Sequence, residues 1–328
     1  MKLDVLKAYY PGFLSAAVVG LAATFLARNY NAPVMLFALL IGMAFNFLHE
    51  DGRCKQGIDF ASRTVLRLGV ALLGLRITFT QISSLGLAPI ATVVVGVATT
   101  SLFGLWLGRR FGLGSYFGLL SGGAVAICGA SAALAISTSL PRYETKERDT
   151  ALTVVGVTTL STIAMIFYPL LVTLLQLNTT EAGIFLGGTI HDVAQVVGAG
   201  YMVSQETGDV STYVKLLRVA ALVPVVVLIS LLLSKGAGTG ERMRRAFPMF
   251  LVGFCALVIL NSLVAVPSEI AAGATTLSSY CLVTAISALG MKTSFRSLVE
   301  VGWRPVGMMV AETAWIALLV LGAIFLMR

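Results

Sequence analysis

From about residue 11 to residue 327 the chain is a succession of apolar runs long enough to cross a bilayer, with only short loops between them. A helix needs about 20 largely apolar residues to span the hydrocarbon. Runs of that kind read at 11–28, 33–48, 57–75, 87–108, 150–175, 213–233, 246–265, 269–290 and 305–327. Two further apolar segments, 114–138 and 181–204, hold too many glycines to read as plain spans. Inside a bilayer the backbone must pair with itself, so open sheet edges and irregular segments that face lipid are excluded. The expected fold is an all-α polytopic membrane protein of about 9–11 transmembrane helices, one integral membrane domain over 1–328. Only 12% of the residues are charged and 57% are hydrophobic, where a soluble domain carries about 25% charged residues.

The formal charge of +8 belongs to loops rather than to a nucleic-acid surface, because no basic cluster with interleaved aromatics occurs. Lys and Arg gather at the N-terminus and in 53–55, 109–110, 142–148, 235–245 and 292–304. Positive charge favours the cytoplasmic side, which places the N-terminus in the cytoplasm. The loop 142–148 falls inside if the two glycine-rich segments re-enter from opposite faces. If both cross completely, 142–148 and 176–182 exchange sides. The four cysteines show no ligand spacing, so no metal site, cofactor or structural disulfide is expected.

The two glycine-rich segments resemble each other. Gly118-Leu-Leu-Ser-Gly122-Gly123 and Gly183-Ile-Phe-Leu-Gly187-Gly188 share their glycine spacing. Glycine weakens a helix interior, and a paired set of interrupted segments is the best sequence pointer to a transporter's binding site. A second repeat relates Gly74-Leu-Arg76-Ile-Thr78-Phe79 with Gly86 and Pro89 to Gly290-Met-Lys292-Thr-Ser294-Phe295 with Gly302 and Pro305. By the span count its copies run in opposite directions, which is the pattern of inverted repeats.

Polar groups at membrane depth are costly and point to function. The cluster His191, Asp192 and Gln195 stands out, and helical spacing would make Gln195 a neighbour of both others. Its expected role is ion coupling, with His191 or Asp192 carrying a proton or meeting a cation. The first segment offers Cys128, Gly129, Ala130 and Ser131, where a helix restarting after a break presents free N–H groups and a positive dipole end. Substrate contacts are therefore expected from Gly122, Gly123, Cys128, Gly129, Ala130, Ser131, Gly187, Gly188, Thr189, His191 and Gln195. The alternative is that the glycines serve close helix packing. Arg63 and Arg67 share a helix face and could line an anion path. Arg76, Lys215, Arg218 and Lys292 read as span-end residues snorkelling to the interface. Glu312 and Asn261 read as packing hydrogen-bonders, and His49, beside Glu50 and Asp51, as a solvated residue. No nucleophile elbow, P-loop or HExxH pattern occurs, so an ATP-driven pump, a membrane protease or another enzyme is not expected.

At Ile127-Cys128-Gly129-Ala130-Ser131-Ala132 and Ile190-His191-Asp192-Val193-Ala194-Gln195-Val196-Val197 the chain resembles the YeiH-type family, named for sulfate export. The tail motifs Gly290-Met-Lys292-Thr and Gly302-Trp303-Arg304-Pro305 also look like that family. The resemblance extends over essentially the whole chain. It implies a fold akin to the bile-acid/arsenite transporters and cation/proton antiporters, with discontinuous helices crossing at the site and an elevator-like core moving against a scaffold. It further implies a bacterial inner-membrane secondary carrier, an exporter of a small anion such as sulfate, a sulfonate or a carboxylate, coupled to H⁺ or Na⁺. An elevator scaffold is compatible with a homodimer, which nothing in the sequence fixes. A passive anion channel would keep the glycine breaks without a coupling ion.

Overall fold

A computed structural model of the chain describes residues 2–30, 32–50, 52–233, 249–264, 266–293 and 302–328. The described residues are helices and connecting turns, with no strands among them. In order these are α1 (Lys2–Tyr30), α2 (Val34–Ala44), α3 (Phe47–Glu50), α4 (Lys55–Phe60), a π-helical stretch (Ala61–Val65), α5 (Leu66–Leu72) and a 3₁₀ turn (Leu73–Leu75). Then follow α6 (Phe79–Ser84), α7 (Ala88–Arg110), α8 (Ser115–Ala126), α9 (Ala130–Ser139), α10 (Lys146–Leu174), α11 (Thr179–Thr189) and α12 (Val193–Val203). The chain continues with α13 (Gln205–Ala220), α14 (Leu222–Leu233), α15 (Met249–Leu263), α16 (Ser268–Lys292) and α17 (Trp303–Met327). Six stretches are long and apolar enough to cross a membrane: Ala8–Tyr30, Pro89–Arg110, Lys146–Leu174, Gln205–Leu233, Glu269–Lys292 and Trp303–Leu326. Shorter apolar helices accompany them, so the chain is an all-α polytopic membrane protein. The basic loop 235–245 lies outside the described residues, as does 294–301 of the loop 292–304.

Local sequence explains the helix ends. Asn178 and Glu181 cap each other across the first turn of α11, satisfying two backbone donors that the helix leaves orphaned. Thr78 and Gln81 do the same for α6. Between α13 and α14 the chain slips at Ala221. Pro224, which lacks an N–H, accounts for that break.

The helices cluster into two compact units. The first comprises Met1–Gly86, Val197–Asp209 and Met249–Ser294. Its core includes Ala16, Val19, Ile58, Ala61, Ala288 and Met291, and α2 lies so close to α16 that Gly42 faces the Ser287 carbonyl and Gly290 the Leu39 carbonyl. Without a hydrophobic drive between helices in lipid, such small-residue contacts hold spans together. Here Asp59 accepts from Lys292 at 2.7 Å and faces His49 at 3.6 Å. Lys292 is thus an ion-pair partner, and His49 is half-buried rather than fully solvated. Arg76 donates to Asp209 at 2.9 Å, whose other oxygen takes the Tyr201 hydroxyl at 2.6 Å. Asn261 donates to the Ile77 carbonyl, the packing role expected of it.

The second unit comprises Leu87–Val196, Val210–Pro248 and Phe295–Arg328. Its tightest helix pair is α7 with α8, where two small-residue ridges, Gly104 and Gly108 against Gly118 and Gly122, let backbones meet. A Cβ at Gly104 would stand 2.6 Å from the Gly118 oxygen, the Gly122 Cα and Glu312 Oε1. We expect Gly104→Ala to cost about 2–3 kcal/mol through overpacking, read as a lowered melting temperature of the purified protein. An unchanged melt would contradict so close an approach.

The 74–89 and 290–305 repeats behave alike where both are described. Gly74 and Gly290 each face a neighbouring backbone carbonyl, of Phe254 and Leu39. Gly86 and Gly302 both take positive φ, +68° and +88°, just before α7 and α17. Ser294 and Phe295 of the second copy lie outside the described residues.

Candidate functional site

Both glycine-rich segments are broken helices, and the breaks are narrower than their glycine content suggests. The first helix runs unbroken through Gly118, Gly122 and Gly123 to Ala126, then restarts at Ala130. The second runs through Gly187 and Gly188 to Thr189 and restarts at Val193. The interruptions are therefore 127–129 and 190–192 alone. The other glycines are contact points. Gly122 abuts α7, Gly123 meets Ile136 of α9, Gly187 meets Ser211 and Val214 of α13, and Gly188 meets Val320 of α17. A buried helix tolerates glycine where a neighbour needs the space.

Gly129 makes the first break. Its φ of +61° with ψ of −126° is a conformation that essentially only glycine adopts. There the chain turns sharply, so Ile136 lies directly against Gly123. A straight helix would hold those residues about 20 Å apart. The two breaks touch: a Cβ at Gly129 would stand 3.6 Å from the backbone and Cβ of His191.

Each break leaves carbonyls at the C-terminal ends of α8 and α11 without helical partners. In this dry interior they must be paired. Two cations on α13 do so. Lys215 Nζ donates to the carbonyls of Ile127 at 2.8 Å and Ile190 at 3.0 Å, and to that of His191. Arg218 donates from Nε to Ala126 at 2.9 Å and from Nη2 to Val125 at 2.6 Å. Its Nη1 reaches Ile190 at 3.0 Å and Gly187 at 3.2 Å. Both side chains are essentially fully buried. They sit where the dipoles of α8 and α11 point their negative ends, and they clamp the two breaks together. The snorkelling expected of Lys215 and Arg218 does not hold. α13 begins at Gln205, so Lys215 is about 15 Å along the helix rather than at its start.

The three polar residues of the second break diverge. His191 and Asp192 are non-helical, so the helical spacing that would join Gln195 to both is absent. His191 Nε2 meets Thr313 Oγ1 of α17 at 2.9 Å. That hydroxyl donates to the Met309 carbonyl, so it accepts from His191. The backbone N–H of Asp192 donates to Ser161 of α10 at 3.0 Å, and its Oδ1 lies 3.5 Å from the Ala194 N–H. The carboxylate thus stands at the positive N-terminus of α12, as a helix cap does. Gln195 is fully buried and donates to Thr162 Oγ1 at 3.3 Å. Thr189 bonds back to the Phe185 carbonyl.

The two restarting helices are unequal. α9 begins after Gly129 with no side-chain cap, its Ala130 half-buried and Ser131 exposed in its first turn, with Cys128 buried behind. α12 has a carboxylate at its entry. The Ala132 N–H meets the Cys128 side chain, which leaves the N–H groups of Ala130 and Ser131 as those α9 offers to a ligand. Arg63 and Arg67 belong to the first unit, with exposed side chains, and Arg67 lies 6.0 Å from the Phe250 ring centre.

The whole of this arrangement falls within a known sequence family. Residues 11–309 match the family model described as Conserved hypothetical protein 698. The chain is similar to a UPF0324 membrane protein of Chlorobaculum tepidum, 56% identical over 96% of this chain and 89% of that protein. It is also similar to the UPF0324 membrane protein TauZ of Paracoccus pantotrophus, 49% identical over 97% and 95% of the two chains. A Rhizobium meliloti UPF0324 membrane protein is 48% identical over 98% and 94%. No solved structure matches the chain. With sequence agreement spanning both units and both breaks, the chain belongs to the UPF0324 family of membrane proteins, the family of the YeiH type.

Proposed function

We propose that this protein is a secondary active transporter that exports a small anion such as sulfate, a sulfonate or a carboxylate. The observation that carries the reading is the charge arrangement where the two breaks touch. Lys215 and Arg218 are buried there, and the Cys128 thiol and the Asp192 carboxylate lie within electrostatic reach of Lys215. Their donors are engaged by carbonyls, so the two cations set a positive potential rather than grip the substrate. The anion meets the N–H groups of Ala130 and Ser131 at the start of α9 and the Ser131 hydroxyl, in the manner of anions at helix N-termini. His191 and Asp192 couple the movement to H⁺ or Na⁺, and Gln195 holds the second break against α10. The unit that carries both breaks is the moving core of an elevator in this reading, and the other unit is its scaffold.

The test is thermal stabilisation of the purified protein by a panel of anions, with and without Na⁺ and at two pH values. A ligand that binds only the folded state at about 100 times its Kd adds about 2.7 kcal/mol. The expected result is a melting-temperature rise for one class of anion that shrinks in Ser131→Ala. A panel without any shift, or a shift unchanged by Ser131→Ala, would overturn the assignment.

A further inference from the structure

One buried acid takes no part in the arrangement so far. Glu312 lies in the tenth position of α17 and is 0% exposed. Its Oε1 accepts a hydrogen bond from Ser121 Oγ of α8 at 2.9 Å, and its Oε2 has no partner among the described residues. From α7, Gly104 leaves the space that the carboxyl fills. Thr100 and Ser101, a turn earlier on α7, carry two more buried hydroxyl oxygens without partners among the described residues. Among the described residues no charged side chain acts on Glu312. The next residue on α17, Thr313, is the one that meets His191.

A lone carboxylate here would be a fully buried charge with no charged partner among the described residues, at a cost of many kcal/mol. The neutral acid needs only hydrogen bonds. Ser121 engages one oxygen and leaves the other to carry hydrogen. A packing role would be served as well by glutamine or serine. An acid in this place adds one capability, the reversible binding of H⁺.

We propose that Glu312 is a proton-carrying site, protonated on Oε2 in this conformation. It holds its proton in this conformation and releases it when the core changes state. The step is the binding and release of one H⁺ by one carboxylate, with no other bond made or broken. The claim that this proton drives the anion rests on the transport reading above. The claim that Glu312 holds a proton does not.

Two measurements separate these. Infrared spectroscopy of the purified protein at neutral pH is expected to show a protonated-carboxyl C=O band that disappears in Glu312→Gln. In Ser121→Ala the band remains but shifts, because its one hydrogen-bond donor is gone. A band missing from the wild type, or surviving unaltered in Glu312→Gln, overturns the proposal whatever the protein transports. In proteoliposomes with an internal pH dye, Glu312→Gln is expected to exchange the anion while the accompanying pH change falls to background. Undiminished proton movement in Glu312→Gln overturns the coupling role. Wild-type vesicles that move no anion overturn the transport reading instead, and the infrared band still decides whether the proton is there.

Discussion

Arg218→Ala is expected to yield a protein that melts far below the wild type, or that does not accumulate in the membrane. The guanidinium satisfies four carbonyls from two different helix ends. A buried polar group left without its partner costs about 1–3 kcal/mol, and Arg218→Ala removes a donor from four carbonyls at once. That is a large share of a total stability of about 5–15 kcal/mol. Arg218→Lys is expected to recover only part of the loss. A lysine brings three rotatable donors on a point charge and cannot reproduce the planar fork. Melting curves of the three proteins in the same detergent provide the check. If Arg218→Ala melts with the wild type, the clamp is not what holds the breaks.

The second large effect falls on transport alone. Asp192→Asn should abolish ion-driven movement of the anion while the protein stays folded. Asparagine caps a helix about as well as aspartate, so the start of α12 and the bond from Asp192 N to Ser161 survive. The amide cannot bind a proton and is a poorer cation ligand, so coupling is lost altogether. The melting temperature should move by no more than the equivalent of about 1 kcal/mol. Ion-gradient-driven uptake at the wild-type rate would dismiss Asp192 as a coupling group and leave it a helix cap.

Much of the fold was legible because hydropathy and length decide it. The spans read at 87–108, 150–175 and 269–290 correspond to α7, α10 and α16 within a few residues. The presence of two broken helices was also legible, from glycine content and the polar motif at 190–195. The position of each break was not. Glycine serves two ends, close packing and unusual backbone angles, and composition does not separate them. Gly122 and Gly187 do the first, Gly129 the second. Arg218 and Lys215 were missed for a different reason. The polar stretch Gln205–Ser211 delays the apparent start of the span to residue 213, which puts both cations at its edge. A signal was present in the i, i+3 spacing of two cations followed by an uninterrupted apolar run. That pattern faces one direction, and on a helix begun at Gln205 it lies at mid-depth.

The clamp also constrains how the protein is made. Arg218 and Lys215 satisfy carbonyls 93 and 88 residues earlier in the chain. While the ribosome is still short of α13, the ends of α8 and α11 have no partner of their own chain. The half-made protein must shelter them by other means, from translocon walls, lipid headgroups or water. Biogenesis then has a checkpoint at about residue 218. Chains stopped before it should be cleared by quality-control proteolysis, and chains stopped after α14 should persist.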